Sequence, residues 1–373
     1  MLKTNKNSYL STMLSDKEKN RYNRHIKLDN VGLSGQEKLK KAKVLIIGAG
    51  GLGCPILQYL AAAGIGKISV IDDDTIEESN LHRQILFNLE DVGKQKAIVA
   101  VEKLTKQNPY IQLKYYNQRL TTENALALFL DYDIIVDGTD NFSTRYLIND
   151  ACILTNKPLV YGAIHKFEGQ VCVFNYNNGP SYRCLFPEPP KENQMPNCSE
   201  VGVLGVLPGV IGTMQANEVL KIILGIGTVL SGQLQILNLL NNSNYTLNVS
   251  KNKSQIEKVK SNGLEKNYDL FCGINSTETI KQLSISDAKS FISNKDYIFL
   301  DVRDEWEQPQ IESLNSIQIP IDELDEMIDE IPKDKKVIVY CQTGGRSKQA
   351  ILFLEKEFGL TNLYNLKEGV ISW

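Results

Sequence analysis

Long apolar runs are missing from this chain. The longest, around Val201 to Ile211, is broken by glycines and by Pro208, which excludes a bilayer-spanning helix there. The N-terminus, MLKTNKNSYLSTMLSDKEKNRYNRHIKL, is polar and lysine-rich and lacks the apolar centre of a signal peptide. These absences predict a cytosolic protein. A charge excess of one sign is missing too. The 41 basic and 44 acidic residues leave a net charge of −3, so nothing in the overall balance favours nucleic acid or a membrane surface. Cysteines are few, seven, scattered and odd in number, which argues against a disulfide framework. Each thiol is therefore read for its own chemistry. The three histidines, His25, His82 and His165, all fall in the N-terminal part, so C-terminal chemistry runs without imidazole.

What is present is an ordinary globular composition, 42% hydrophobic and 23% charged over 373 residues, long enough for two domains. Lys43–Val70 reads as strand, glycine turn, helix and strand. Ala97–Gln107 has helical spacing, Gln112–Tyr116 is strand-like, and Asp133–Val136 is a short apolar strand ending in acidic turn residues. Strands alternating with helices predict an α/β fold, a Rossmann-like, mainly parallel sheet. Gly205–Gly225 reads as a buried helix opened by a proline and glycines. From Asn241 the composition turns polar, as a solvated strand pair and loop would, and the domain boundary is expected near Thr279. The first domain is then 1–279 and the second 280–373. The second holds a helix at Ser286–Ser293, strands at Tyr297–Val302 and Lys336–Tyr340, and a helix at Ser347–Phe358. This is a small α/β unit.

Gly48, Gly50 and Gly53 fit G-x-G-x-x-G, with Gly51 inside the run, between a strand and a helix. Such glycines let backbone N–H groups approach a phosphate at the positive helix end. Asp72 closes the next strand, where a carboxylate can take ribose hydroxyls. Alone, this pattern fits an NAD-dependent oxidoreductase. The residues beyond Asp72 do not suit a neutral nicotinamide ring. Ser79, Asn80, Leu81, His82 and Arg83 lie just past it; Lys96 lies in GKQK; Asp140 and Asn141 end the Ile134–Val136 strand. Two cations and a further carboxylate suit a triphosphate with Mg²⁺, because Arg and Lys neutralise phosphate and a carboxylate holds the hard cation.

These runs resemble a known family. RYNRHI, GAGGLGCP, DDDTIEESNLHRQ, VGKQKA, DGTDN, YRCLFPEPP and NCSEVGVLGVLPGVIG, spread over Arg21–Gly225, are similar to the MoeB/ThiF/HesA adenylyltransferases, relatives of the ubiquitin-activating enzymes. The resemblance implies ATP-dependent adenylylation of the C-terminal glycine of a small ubiquitin-like sulfur-carrier protein. It implies that Gly51 lines the triphosphate, Asp72 binds ribose, Asn80, Arg83 and Lys96 contact phosphates, and Asp140 holds Mg²⁺. Arg24 resembles the arginine that reaches a partner subunit's ATP, which implies a homodimer. A binder of a ubiquitin-like protein that no longer activates it would have lost Arg83 or Asp140, and both remain.

Cys198, in PPKENQMPNCSEVG, resembles the crossover-loop cysteine that can form a thioester or acyl-disulfide with the carrier; its residues alone also allow a loop thiol with no covalent role. Relatives hold a structural zinc with two C-x-x-C pairs. Here the pairs read Ser181 to Cys184 and Asp269 to Cys272, and two missing thiols predict no zinc. Cys54, Cys152 and Cys172 read as packing residues. Cys341 differs: the strand KKVIVY ends on Cys341-Gln-Thr-Gly-Gly-Arg346-Ser347 before a helix. Loop N–H groups, the helix N-terminus and Arg346 all favour an anionic sulfur. The ring is one residue shorter than the phosphatase loop C-x₅-R, too tight for phosphate and suited to a persulfide. With Asp301-Val302-Arg303 upstream, Ser286–Trp373 resembles a rhodanese domain. That implies sulfur transfer from a persulfide, supplied by a donor such as a cysteine desulfurase, to give a carrier thiocarboxylate. The H-I-P-G-A-like stretch of such domains is replaced by the run from Gln310 to Ser316.

Overall fold

The computed structural model describes residues 13–190, 202–272, 280–311 and 313–373. The chain divides into two compact units, Met1–Ile274 and Asn275–Trp373.

The first unit is built on an eight-stranded sheet: β1 (Lys43–Ile47), β2 (Lys67–Ile71), β3 (Gln112–Tyr116), β4 (Ile134–Asp137), β5 (Leu159–His165), β6 (Glu168–Phe174), β7 (Gln233–Asn238) and β8 (Ser243–Asn248). Its order is β3-β2-β1-β4-β5-β6-β7-β8. The strands from β3 to β5 are parallel, and β5 to β8 continue the sheet antiparallel. β1 is apolar beyond Lys43, as a strand covered on both faces must be. Val44 and Ile46 enter one core with helices Gly53–Ala63, Lys96–Gln107 and Val206–Leu224. Leu45 and Ile47 enter the opposite core with helix Phe142–Thr155. The helix Val206–Leu224 is the one expected from the apolar run, and it stops where Gly225 takes φ +71°.

The polar stretch after Asn241 is more ordered than its composition suggests. β8 pairs with β7 along its length, and the helix Lys253–Asn262 follows, capped by Asn252. Ile256 and Val259 are its buried residues, one helical turn apart, and they pack on Ile153. A short helix, Tyr268–Phe271, docks by Tyr268.

The second unit has a five-stranded parallel sheet of β9 (Lys281–Leu283), β10 (Tyr297–Asp301), β11 (Ser316–Gln318), β12 (Lys336–Tyr340) and β13 (Leu363–Leu366), in the order β11-β10-β12-β13-β9. Val337 and Val339 of β12 face the helix Gly345–Phe358, which contributes Ile351 and Leu354. Ile338 and Tyr340 face the other side, with Phe299 and Leu366. Among the described residues no helix is long and apolar enough to cross a membrane.

Candidate functional site

β1 lies between β2 and β4; the chain runs outward from β1 through β2 to β3 and then crosses back to β4 on the other side of β1, the point where a doubly wound sheet opens a crevice. A cleft of about 420 Å³ lies there, at the C-terminal ends of these strands. The glycine turn forms its floor. Gly48 has φ +97°, and a Cβ on it would lie 2.7 Å from the Gly138 carbonyl oxygen. A Cβ on Gly53 would lie 2.1 Å from the Gly48 carbonyl oxygen. The glycines thus serve two close backbone approaches, turn against helix and turn against the β4 loop.

Gly48, Gly50, Gly51, Asp72, Asn80, Arg83, Lys96, Asp140 and Asn141 all line this cleft. Gly53 lies beneath it, buried. Asp72 accepts a hydrogen bond from the Ala49 N–H at 2.7 Å and so also braces the turn. Burial pushes its carboxyl upward against that hydrogen bond and the charge of Lys96. Lys96 is only 6% exposed and is ion-paired to Asp74 at 2.9 Å. Arg83 donates to the Ser79 carbonyl at 3.2 Å and lies 2.8 Å from His82 Nε2. Burial, then the Arg83 charge, lowers the His82 pKa. Asn141 caps the helix Phe142–Thr155 by accepting from the Thr144 N–H at 2.9 Å. The Asp140 carboxylate is exposed and has no hydrogen-bond or ion-pair partner among the described residues.

Ser79, Leu81 and His82 are not brought to the cleft wall. Ser79 and His82 are exposed on its margin and Leu81 packs against the core. Arg24 is exposed on the short helix Asn23–Ile26 and does not line its own cleft. Cys198 lies outside the described residues. The cleft also holds Gln84, Gly138 and Thr139, which lie in the runs the sequence marked without a role of their own, and Arg119 and Leu120, which the sequence did not single out. Arg119 and Leu120 follow the end of β3, a position the strand-end rule could have flagged. Gln84 is buried, with its Nε2 given to Asn80 at 2.6 Å and its Oε1 without a partner among the described residues. A buried acceptor left open at the wall of a cleft calls for a donor.

At the expected zinc position, Cys184 Sγ accepts N–H groups from Ser181 at 3.3 Å and Asn252 at 3.2 Å. Burial, then the Asp269 charge, pushes the Cys272 thiol up to about 12. Arg183, between these segments, is forked onto Asp150 with both contacts at 2.7 Å, and the Tyr268 hydroxyl donates to the same carboxylate at 2.8 Å. The Arg183 guanidinium also lies over the Phe271 ring at 4.6 Å. Among the described residues, only Asp72, Asp73 and Asp74 bring three potential metal-binding atoms within 4.8 Å of one another.

In the second unit Cys341 directly follows β12 and is 1% exposed. Its sulfur accepts from the Gly344 N–H at 3.2 Å, at the N-terminus of the helix Gly345–Phe358; the Ser347 hydroxyl lies 3.5 Å from the sulfur and donates to Asn365 Oδ1 at 2.6 Å. Gly344 has φ +87°. Arg346 is not free to serve the sulfur alone, because Glu307 takes two of its N–H groups. Burial works to raise the Glu307 pKa, but the Arg346 fork prevails and holds it below the ordinary value. Trp306, beside Glu307, is 77% exposed. Arg303 is buried and clasps Asp301 and Gln342, tying the β10 end to the cysteine loop.

The ThiF family model matches residues 22–259, and the rhodanese-like domain model matches residues 284–373. The chain belongs to the ThiF family and carries a rhodanese-like domain. The probable adenylyltransferase/sulfurtransferase MoeZ of Mycobacterium tuberculosis is 38% identical over 378 residues, covering 97% of this chain and 94% of that one. The sulfur carrier protein adenylyltransferase of Thermus thermophilus is 48% identical over 271 residues, 69% of this chain and 97% of that one. Among solved structures, E. coli MccB with ATP superposes at a TM-score of 0.56, with 26% identity over 64% of this chain and 73% of that one. Membership of the ThiF family sets aside the oxidoreductase reading.

Proposed function

We propose that the ThiF-family unit uses ATP to adenylylate the C-terminal carboxylate of a small ubiquitin-like sulfur-carrier protein, and that the rhodanese-like unit delivers sulfur from a Cys341 persulfide to make the thiocarboxylate. The observation that carries this is the lining of the cleft: Arg83, Lys96 and an unpartnered Asp140 around a glycine turn, with no histidine among the described lining residues. A terminal carboxylate, with a pKa of about 3.5, is already an anion at neutral pH and needs no base. Its oxygen attacks the α-phosphorus, and the bond to the pyrophosphate oxygen breaks. The protein's part is to position the reactants and offset the charge on the phosphates. Arg83, Lys96 and the turn's N–H groups suit that work, and Asp72 suits the ribose.

Asp140 is the residue that would hold Mg²⁺: it is exposed, oxygen-bearing and free of a protein partner among the described residues. A magnesium ion bound there supplies further charge neutralisation for the departing pyrophosphate. Arg24 faces solvent on its own protomer, which suits a residue serving the site of a partner in a homodimer.

The terminal sulfur of a Cys341 persulfide then attacks the acyl carbon and AMP leaves, giving an acyl-disulfide. A second thiol breaks its S–S bond, so that the carrier leaves as thiocarboxylate and Cys341 is left in a disulfide with that thiol, for an external thiol to reduce. The persulfide comes from a donor protein of the cysteine desulfurase class. Relatives that are adenylyltransferase/sulfurtransferases or sulfur carrier adenylyltransferases support both halves. Carrier-dependent ATP–pyrophosphate exchange tests the first half. Asp140→Ala or Arg83→Ala is expected to lower it by about 10²–10³-fold with the fold intact. Near-normal exchange in either variant would sink the assignment.

A further inference from the structure

The loop that presents Asp140 is held from behind by a residue that does not line the cleft. β4 ends on Asp137, whose side chain is 0% exposed. Its Oδ1 accepts from the Thr139 N–H at 2.9 Å and the Thr139 hydroxyl at 2.6 Å. Its Oδ2 accepts from Arg145 Nε at 3.2 Å. The same guanidinium reaches past the carboxylate, and Nη2 donates to the Thr139 carbonyl at 3.2 Å. Gln215 Nε2 holds the Asp137 carbonyl at 2.6 Å. Gly138, between them, abuts the backbone of Gly48 and Gly53. Residues 137–139 are thereby tied to a helix, to the β1 turn and to each other. Asp140 is the next residue, and its carboxylate carries no partner of its own among the described residues.

Arg145 is itself buried, with its guanidinium over the Tyr161 ring at 5.1 Å and the Phe142 ring at 5.7 Å. A buried ion pair is weak as a source of stability, because desolvation offsets its attraction. What it supplies is direction. A planar guanidinium that spans a carboxylate and a carbonyl two residues apart fixes the path of the chain between them, and an ammonium group cannot make both contacts from one plane. A magnesium ion demands near-ideal octahedral geometry, so a small drift of Asp140 costs affinity.

We infer that Arg145 is a positioning residue that sets Asp140 for its metal through the Asp137–Thr139 clamp. The inference rests on the assignment of Asp140 as the magnesium ligand. It assigns Arg145 no contact with nucleotide, so its loss should separate metal response from nucleotide affinity.

The test is calorimetric and needs no carrier protein. ATP binding to the full chain is measured with EDTA and across a Mg²⁺ titration, for the wild type, Arg145→Lys and Asp140→Asn. Arg145→Lys is expected to leave metal-free ATP binding within about twofold and to raise the Mg²⁺ midpoint by roughly 10-fold, the scale on which outer partners act on metal sites. Should Arg145→Lys fail to fold, Thr139→Val removes the hydroxyl half of the same clamp and is expected to shift the midpoint in the same direction. An unchanged midpoint in whichever variant folds overturns the inference. So does an equal loss of metal-free ATP binding, which would make Arg145 a general support of the cleft. A wild-type site indifferent to Mg²⁺, or an Asp140→Asn variant that keeps the full response, brings down the assignment of Asp140 and the inference with it.

Discussion

Glu307 grips Arg346 with both carboxylate oxygens, at 2.7 and 2.5 Å, from 39 positions earlier in the chain. The arginine that completes the Cys341 loop is thus already matched by an anion. Stabilisation of an anionic sulfur falls on the Gly344 N–H and the helix end behind it, since the Ser347 hydroxyl donates to Asn365 Oδ1 at 2.6 Å.

Glu307→Gln should destabilise the rhodanese-like unit by about 1 kcal/mol at neutral pH, the scale of a partly screened ion pair. The Glu307 pKa is lowered from 4.5 in the folded unit, so the stability it contributes is present above that value and is lost as pH falls through the lower, folded pKa. Melting curves of wild type and variant should therefore converge as the pH drops below the ordinary carboxylate range. A gap that persists unchanged in acid would show that the pair contributes through packing rather than charge.

Cys341→Ala should leave carrier-dependent pyrophosphate exchange intact and abolish thiocarboxylation of the carrier from a persulfide donor. Both readouts come from one variant, exchange and intact carrier mass. An unchanged yield of thiocarboxylate would mean that another thiol delivers the sulfur, with Cys198 the first suspect.

Gly53→Ala should cost about 1–3 kcal/mol of stability in the first unit, the range for an overpacked site, and weaken ATP binding with it. The added carbon would sit 2.1 Å from the Gly48 carbonyl oxygen, and backbone has to move to admit it. Gly209→Ala is the control. It lies within the helix Val206–Leu224 with nothing within 4 Å of an added Cβ, and alanine there should stabilise by about 0.5–1 kcal/mol.

Prolonged treatment with a strong chelator should leave the melting of the first unit unchanged. Arg183, Asp150, Tyr268 and Phe271 fasten the end of that unit through charge, hydroxyl and ring contacts. Arg183→Met should cost about 3–5 kcal/mol, since it strands the buried Asp150. A fall in melting temperature on chelation would reveal a bound metal.

The nucleotide turn could be read from the sequence because everything it needs is local: apolar strand, glycines, helix and strand-end carboxylate follow one another within Lys43–Asp72. The apolar strands β1, β4 and β12 announced themselves in the same way. The partnerships could not be read, because they join residues far apart in the chain. Lys96 looks like a bare phosphate cation until the fold sets it against Asp74, and Arg346 looks like a bare anion ligand until Glu307 arrives. The polar stretch after Asn241 hid its helix for a different reason. Two apolar residues, Ile256 and Val259, are enough to seat it, and averaged composition does not register two residues. Asp137 reads as an ordinary strand end, and only the fold brings Arg145 and Gln215 to it.

The chain has two tryptophans, Trp306 and Trp373, and both belong to the rhodanese-like unit. Trp306 stands in solvent beside the glutamate that grips Arg346, while Trp373 lies edge-on to Phe299 at 6.3 Å with Lys289 over its ring. Indole emission from the intact protein therefore comes from that unit alone, and the adenylylating unit, which has tyrosines but no tryptophan, stays dark under indole-selective excitation. A collisional quencher reaches the first indole and spares much of the second. Charging of Cys341 with sulfur can then be followed by light from the neighbouring loop, without a label and without interference from nucleotide turnover elsewhere in the same molecule.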